Sequence, residues 1–325
     1  MIIHPDLRAL RGDDSPQRDA QAALYDAVGS WRETRPVADM IADIEAFATV
    51  RSLAECPALS ALFDESDPAA VNLAWSFAQS AIAALGQAPL GHVPLRHFTD
   101  GAISTLLLAR SGNVTLSIVA IDGEGLAGRP APVTADFAPG EMWEHVLSGH
   151  ARAKLVERRS ATDGQADLRV RGIALAPGKV ICRDGARQSL QLREVDGCLV
   201  SLRLQRRHAN AKPTREYALA DGRLVHQAAG NPRDSRVELM LALLGRMERT
   251  DAAPLLCEIA IEPGSTALRW QSLREALALD TSAGFAALTT IARSPEDALA
   301  PAAGALRAQL VEAHPQLEEL ARCRA

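Results

Sequence analysis

The apolar residues of this 325-residue chain change their spacing twice, and that change limits what the chain can fold into. Through the first 87 residues they recur at helical spacing. From about Gly91 they recur at every second position, and after Asn231-Pro232 the helical spacing returns. A period of 3.6 lays one stripe of a helix on a core, whereas a period of two lays one face of a strand there. The expected organisation is a helical segment at 1–87, a β domain at 88–230 and a C-terminal helical array at 231–325. In class terms this is α+β.

Within the first segment, Ser15-Pro16 supplies an N-cap and a proline at the first helical position. Ala20, Ala23, Leu24, Ala27, Val28 and Trp31 follow at helical spacing. A second stripe runs through Val37, Met40, Ile41, Ile44, Phe47 and Ala48. A third helix is predicted from Asp67-Pro68, burying Val71, Ala74, Trp75, Ala78, Ile82 and Leu85 and ending at Gly86 as a left-handed cap. In the last segment, Val237, Met240, Leu241, Leu244 and Met247 form one face. Leu268, Leu273, Ala276 and Leu277 follow, then Phe285, Leu288 and Ile291. Ser294-Pro-Glu-Asp297 reads as the start of a last helix bearing Leu299, Ala303, Leu306 and Leu310. Such short helices with brief joints resemble HEAT repeats, which pack as antiparallel pairs.

The β domain shows alternation at Val114–Ile118, Leu168–Arg171, Leu190–Arg193 and Val200–Gln205, each read as a strand with one wet face. Asp-Gly recurs at Asp122-Gly123, Asp163-Gly164, Asp184-Gly185, Asp196-Gly197 and Asp221-Gly222. Asp-Gly tolerates the positive φ of tight hairpin turns. The clearest hairpin is expected at Asp196-Gly197, between Gln188–Val195 and Cys198–Arg206. Short strands joined this way suggest a sandwich, jelly roll or β-barrel rather than a parallel sheet.

Net charge is −5 and the isoelectric point about 5.9, so no phosphate-neutralising excess exists for general nucleic-acid binding. No apolar run reaches the roughly 18 residues of a membrane helix. Met1 to Arg18 has no signal-peptide core. Cys56, Cys182, Cys198, Cys257 and Cys323 are scattered and odd in number, without a CxxC pair, which fits a reducing cytoplasm. The expected partners are a small molecule or a protein, not nucleic acid or a membrane. The sequence leaves the oligomeric state open, a dimer included.

The stretch Phe137-Ala-Pro-Gly-Glu-Met-Trp-Glu-His-Val-Leu-Ser-Gly149, followed by Ala176-Pro-Gly-Lys-Val-Ile-Cys-Arg-Asp-Gly185 and the strand Cys198–Arg206, resembles the cupin domain. That resemblance implies a jelly roll of the RmlC type. It also implies a metal such as Fe, Mn or Zn held by two histidines and a glutamate from the first motif and a histidine from the second. None of these ligands is matched here. The glutamate position falls on Met142, with Glu141 and Glu144 out of step, and the second-motif histidine falls near Gln188 or Ser189. The expected cofactor is therefore none; the alternative is one divalent metal such as Fe.

Candidate ligand-binding residues are Gln188, Arg203 and His145. Gln188, with Arg187 and Gln191, stands where a cupin pocket lies, and strand alternation turns His145 into a barrel. Arg203 belongs to a basic group with Arg206, Arg207, His208, Lys212 and Arg215. Guanidinium groups clamp carboxylates and phosphates bidentately. Arg152, Lys154, Arg158 and Arg159 form a second basic strand face. The alternative metal reading draws on His97, His145, His150 and His226, with Glu144 as a further member and His92 beside His97. The expected function is a non-catalytic cupin-like binding or accessory protein for a small, anionic ligand or a protein partner. The alternative is a metal-dependent cupin enzyme of oxygenase type with a non-standard histidine set. Catalytic residues are not identified.

Overall fold

The structure is a computed structural model that describes residues 10–49, 51–162, 164–208 and 212–317. It is α+β, with helices at both ends of the chain and antiparallel strands between them. The chain divides into two compact units: Met1–Ala209 with Arg215–His226, and Asn210–Thr214 with Gln227–Ala325. The N-terminal helices thus share a unit with the strands.

In the first unit, helices α1 (Ser15–Glu33), α2 (Arg35–Thr49), α3 (Pro57–Ala61) and α4 (Ala69–Gln87) precede the strands. The stripes of α1 and α2 fall as the spacing predicts, with Leu24, Val28 and Trp31, and then Val37, Met40, Ile44 and Phe47, buried. The N-cap of α1 is Asp14 rather than Ser15, which bonds back to Asp13 instead. Helix α4 reverses the expected face. It buries Ala70, Leu73, Phe77 and Ala81 and exposes Val71, Trp75 and Ile82. It also runs through Gly86 to Gln87. The reading that no apolar run reaches membrane length is corrected too: these 19 residues are long and apolar enough by composition to cross a membrane. Here the buried side of α4 packs with Trp31 and Phe47 into one core, which also takes in Leu116, Leu202 and Leu204 from the strands. Each such fully buried side chain contributes about 1.5–3 kcal/mol.

The strands are β1 (His97–Thr99), β2 (Ile103–Ser111), β3 (Val114–Asp122), β4 (Thr134–Phe137), β5 (Gly140–Ala161), β6 (Ala166–Leu175), β7 (Val180–Asp184), β8 (Gln188–Arg207), β9 (Thr214–Ala218) and β10 (Leu224–Ala228). A five-residue helix α5 (Gly123–Ala127) sits between β3 and β4. Among the described residues, seven strands form one sheet in the order β1-β2-β3-β8-β5-β6, with β7 also on β5. A second sheet runs β10-β9-β4. The expected β-barrel is corrected to two separate sheets that do not close on each other.

Strands β5 and β8 pair from Gly140 opposite Arg207 to Glu157 opposite Gln188. The hairpin expected at Asp196-Gly197 is therefore absent, and β8 runs straight through it. Gly197 does take the positive φ, +63°, and Gly149 on β5 takes +85° nearby. The ladder slips register on both sides of Ser148 there. Two bulges at one level let the long pair bend, which a flat ladder resists. Of the other Asp-Gly pairs, Asp122 caps α5 by accepting from Gly125 N, and Asp184-Gly185 turns β7 into β8. Asp221-Gly222 closes β9 to β10, and Asp163-Gly164 lies partly outside the described residues.

The second unit holds α6 (Pro232–Arg246), α7 (Ala253–Ile261), α8 (Thr266–Leu279), α9 (Thr281–Ala292) and α10 (Ala300–Ala313). Leu273, Phe285, Leu288 and Ile291 are buried as expected. On α6 Leu241 is fully buried, whereas Met240, and Met247 just after the helix, face outward. The last helix starts at Ala300, not at Ser294. Asp297 is taken up by Arg269, which binds it through two nitrogens at 3.1 and 2.5 Å and donates to Ala260 O at 2.9 Å.

Candidate ligand cavity

The two faces of the β3–β8–β5 layer serve different ends. Val114, Leu116, Leu202 and Leu204 face the helices. Alternation then turns Ser117, Ser201, Arg203 and Glu144 to the other face, because directly paired residues share a side. Met142 and Arg183, paired between β5 and β7, join them there. This face lines a cavity of about 610 Å³, within the usual range for small-molecule sites. Its remaining wall comes from β4, β9, the segment after α5 and the first half of β8.

At its centre lies a buried carboxylate between two guanidiniums. Arg203 donates to Glu144 Oε1 from Nη2 at 2.6 Å and from Nε at 3.2 Å. Arg183 Nη2 donates to Glu144 Oε2 at 2.8 Å, and Ser201 Oγ lies 3.4 Å from Oε1. Burial pushes the Glu144 carboxyl up, but Arg203 and Arg183 together outweigh it and hold the group below the usual carboxylate range. Burial pushes the Arg183 guanidinium down, against the attraction of Glu144. The triad carries one positive charge in excess.

Two polar atoms of the cavity residues lack partners among the described residues. Arg183 Nε–H is a buried donor with no acceptor, on a side chain only 9% exposed. Gln191 Oε1 is a buried acceptor with no donor, although Gln191 Nε2 donates to Thr134 O at 2.6 Å. Leaving such groups unmade costs about 1–3 kcal/mol each. A further pair of carboxylates, Asp136 and Glu216, stands directly opposite on β4 and β9 and also lines the cavity.

Of the residues singled out in the sequence, Gln191 and Arg203 meet in the cavity, but Gln188, Arg203 and His145 are not brought together. Arg203 lines the cavity. His145 points the other way, buried, with Nδ1 2.8 Å from the Leu62 carbonyl. Gln188 lines a separate hollow of about 410 Å³ with Arg158, Arg187 and Asp184, and its Nε2 lies 3.4 Å from Glu157. His97, His150 and His226 are exposed on β1, β5 and β10. Among the described residues, no group of three or more His, Cys, Asp or Glu side chains is placed to hold a metal ion. Arg206 is on the helix side. It pairs with Glu141 at 2.6 Å, lies 3.9 Å over the Phe47 ring and donates to Arg51 O at 2.7 Å. Arg152 pairs with Glu194. The cavity residues passed over were Arg183, Asp136 and Glu216, while Glu144 was weighed only beside His145 and His150. Glu144 was discoverable, since it lies two residues from Met142 and so shares its face.

No protein-family model matches the chain, and no curated protein matches it. Solved structures do. Ectoine synthase from P. lautus is 10% identical, the match covering 34% of this chain and 67% of that one at a TM-score of 0.23. A cupin superfamily protein from Desulfitobacterium hafniense is 15% identical over 34% of this chain and 81% of its own, at a TM-score of 0.22. HutD from Pseudomonas fluorescens is 17% identical over 35% of this chain and 56% of its own, at 0.24. Each of these matches covers about a third of this chain.

Proposed function

We propose that this chain is a cupin-like binding protein whose cavity takes a small anion between Arg183 and Arg203. The observation that carries the reading is Arg183 Nε: a buried, charged donor with no acceptor among the described residues, in a triad with one positive charge to spare. A carboxylate or phosphate oxygen would supply the acceptor. The reading is of binding rather than acid–base chemistry. Glu144, the most buried carboxylate of the cavity, is held ionised by two arginines and has no proton to give near neutral pH. A thermal-shift panel of small carboxylates and phosphates on the full chain tests this. Saturable stabilisation by at least one of them, lost in Arg203→Gln, is expected. A panel with no hit ends the reading.

A further inference from the structure

The cavity has a second pole. Asp136 and Glu216 sit directly opposite each other on β4 and β9, and like charges so placed repel. Ser189 Oγ approaches Asp136 Oδ1 at 3.3 Å, and Thr134 Oγ1 donates to Glu216. Arg183 and Arg203, the guanidiniums at the other pole, pair with Glu144 and not with either of these carboxylates. The unpartnered Gln191 Oε1 belongs to the same side, because its amide nitrogen holds Thr134 O, two residues before Asp136. Gln191 is 8% exposed, so that acceptor is not left to bulk water. Asp136, Glu216 and Gln191 line the same cavity as Arg183 and Arg203, so one small molecule can span both poles.

Resting on the anion-binding reading, we infer that the ligand is a zwitterion: an aliphatic amino acid, its carboxylate toward Arg183 and Arg203 and its ammonium toward Asp136, Glu216 and Gln191. An ammonium offers three donors. That suits an acceptor-only pole made of two carboxylates and one amide oxygen. Leu126, Ile103, Leu190 and Leu192 supply an aliphatic wall for the side chain. A doubly charged phosphate would satisfy the arginines but would be repelled by the acidic pair.

Calorimetric titration of the full chain with L-leucine, isocaproate and isoamylamine separates the two poles. Leucine should bind about tenfold or more tighter than isocaproate, which lacks the ammonium, and isoamylamine should bind weakest. Glu216→Gln should shrink the preference for leucine over isocaproate, the loss of a negative charge weakening leucine and not isocaproate. Isocaproate binding as tightly as leucine overturns the zwitterion and leaves the anion reading standing. Failure of all three probes also overturns it, and the wider anion panel then decides the anion reading by itself.

Discussion

Arg203 on β8 and Glu144 on β5 are direct cross-strand partners, 2.6 Å apart between Nη2 and Oε1, with Arg183 closing on the second carboxylate oxygen. Glu144 is 6% exposed, so neither charge is well solvated. Removing one member of a buried pair is costlier than the pair is worth, because the other charge stays behind. Glu144→Gln should therefore destabilise the fold by about 3–5 kcal/mol in urea denaturation. Glu141→Gln, whose partner Arg206 keeps two backbone carbonyls, should cost clearly less. Equal losses would show that Glu144 is not a special site.

The same carboxylate sets a pH dependence. Its folded pKa lies below the ordinary 4.5. A depressed carboxylate contributes stability that is fully present above its unfolded value and lost as pH falls through the folded one. The wild-type unfolding midpoint should thus hold from neutrality to about pH 5 and then fall, Glu144 contributing part of the fall. In Glu144→Gln the fall should be shallower. Identical slopes would remove Glu144 from the account.

His145 is assigned a structural role by its contact with Leu62 O. His145→Ala should cost about 1–3 kcal/mol by orphaning that carbonyl and opening the helix–strand packing. It should leave small-anion binding unchanged, since His145 lies on the face away from the cavity. Loss of binding in a folded His145→Ala protein would contradict the assignment.

The bend of β5 and β8 depends on two glycines of unequal tolerance. At Gly149 an added Cβ would run into the Cys198 carbonyl, whereas at Gly197 nothing stands within reach. Gly197→Ala should cost only the left-handed strain, about 1–2 kcal/mol. Gly149→Ala should cost clearly more, by chemical denaturation.

Much of this architecture was legible from spacing alone, and its failures have physical causes. Helix α4 has no charged residue between Ala69 and Gln87. Its polar stripe, Asn72, Ser76, Gln79 and Ser80, is uncharged and flanked by apolar residues on both sides, so Val71–Trp75–Ile82 competed on equal terms with Leu73–Phe77–Ala81. At Asp196-Gly197 the positive φ was read correctly, but a bulge and a hairpin turn require the same φ. In β8 the reading put Leu190 and Leu192 inside. They do pack against Val119, Ile121 and Leu199, but Ser189 and Gln191 are buried as well, held by Asp136 and Thr134 of the second sheet. The triad eluded the sequence because Glu144, Arg183 and Arg203 meet only through strand register. That register is set by bulges no local motif announces.

The most direct test of the account is calorimetric titration of small carboxylates into wild type, Arg203→Gln and Arg206→Gln. Binding to wild type that drops about tenfold or more in Arg203→Gln and persists in Arg206→Gln is the predicted result. Equal affinities in all three proteins, or loss only in Arg206→Gln, would place the anion outside the cavity and contradict the account.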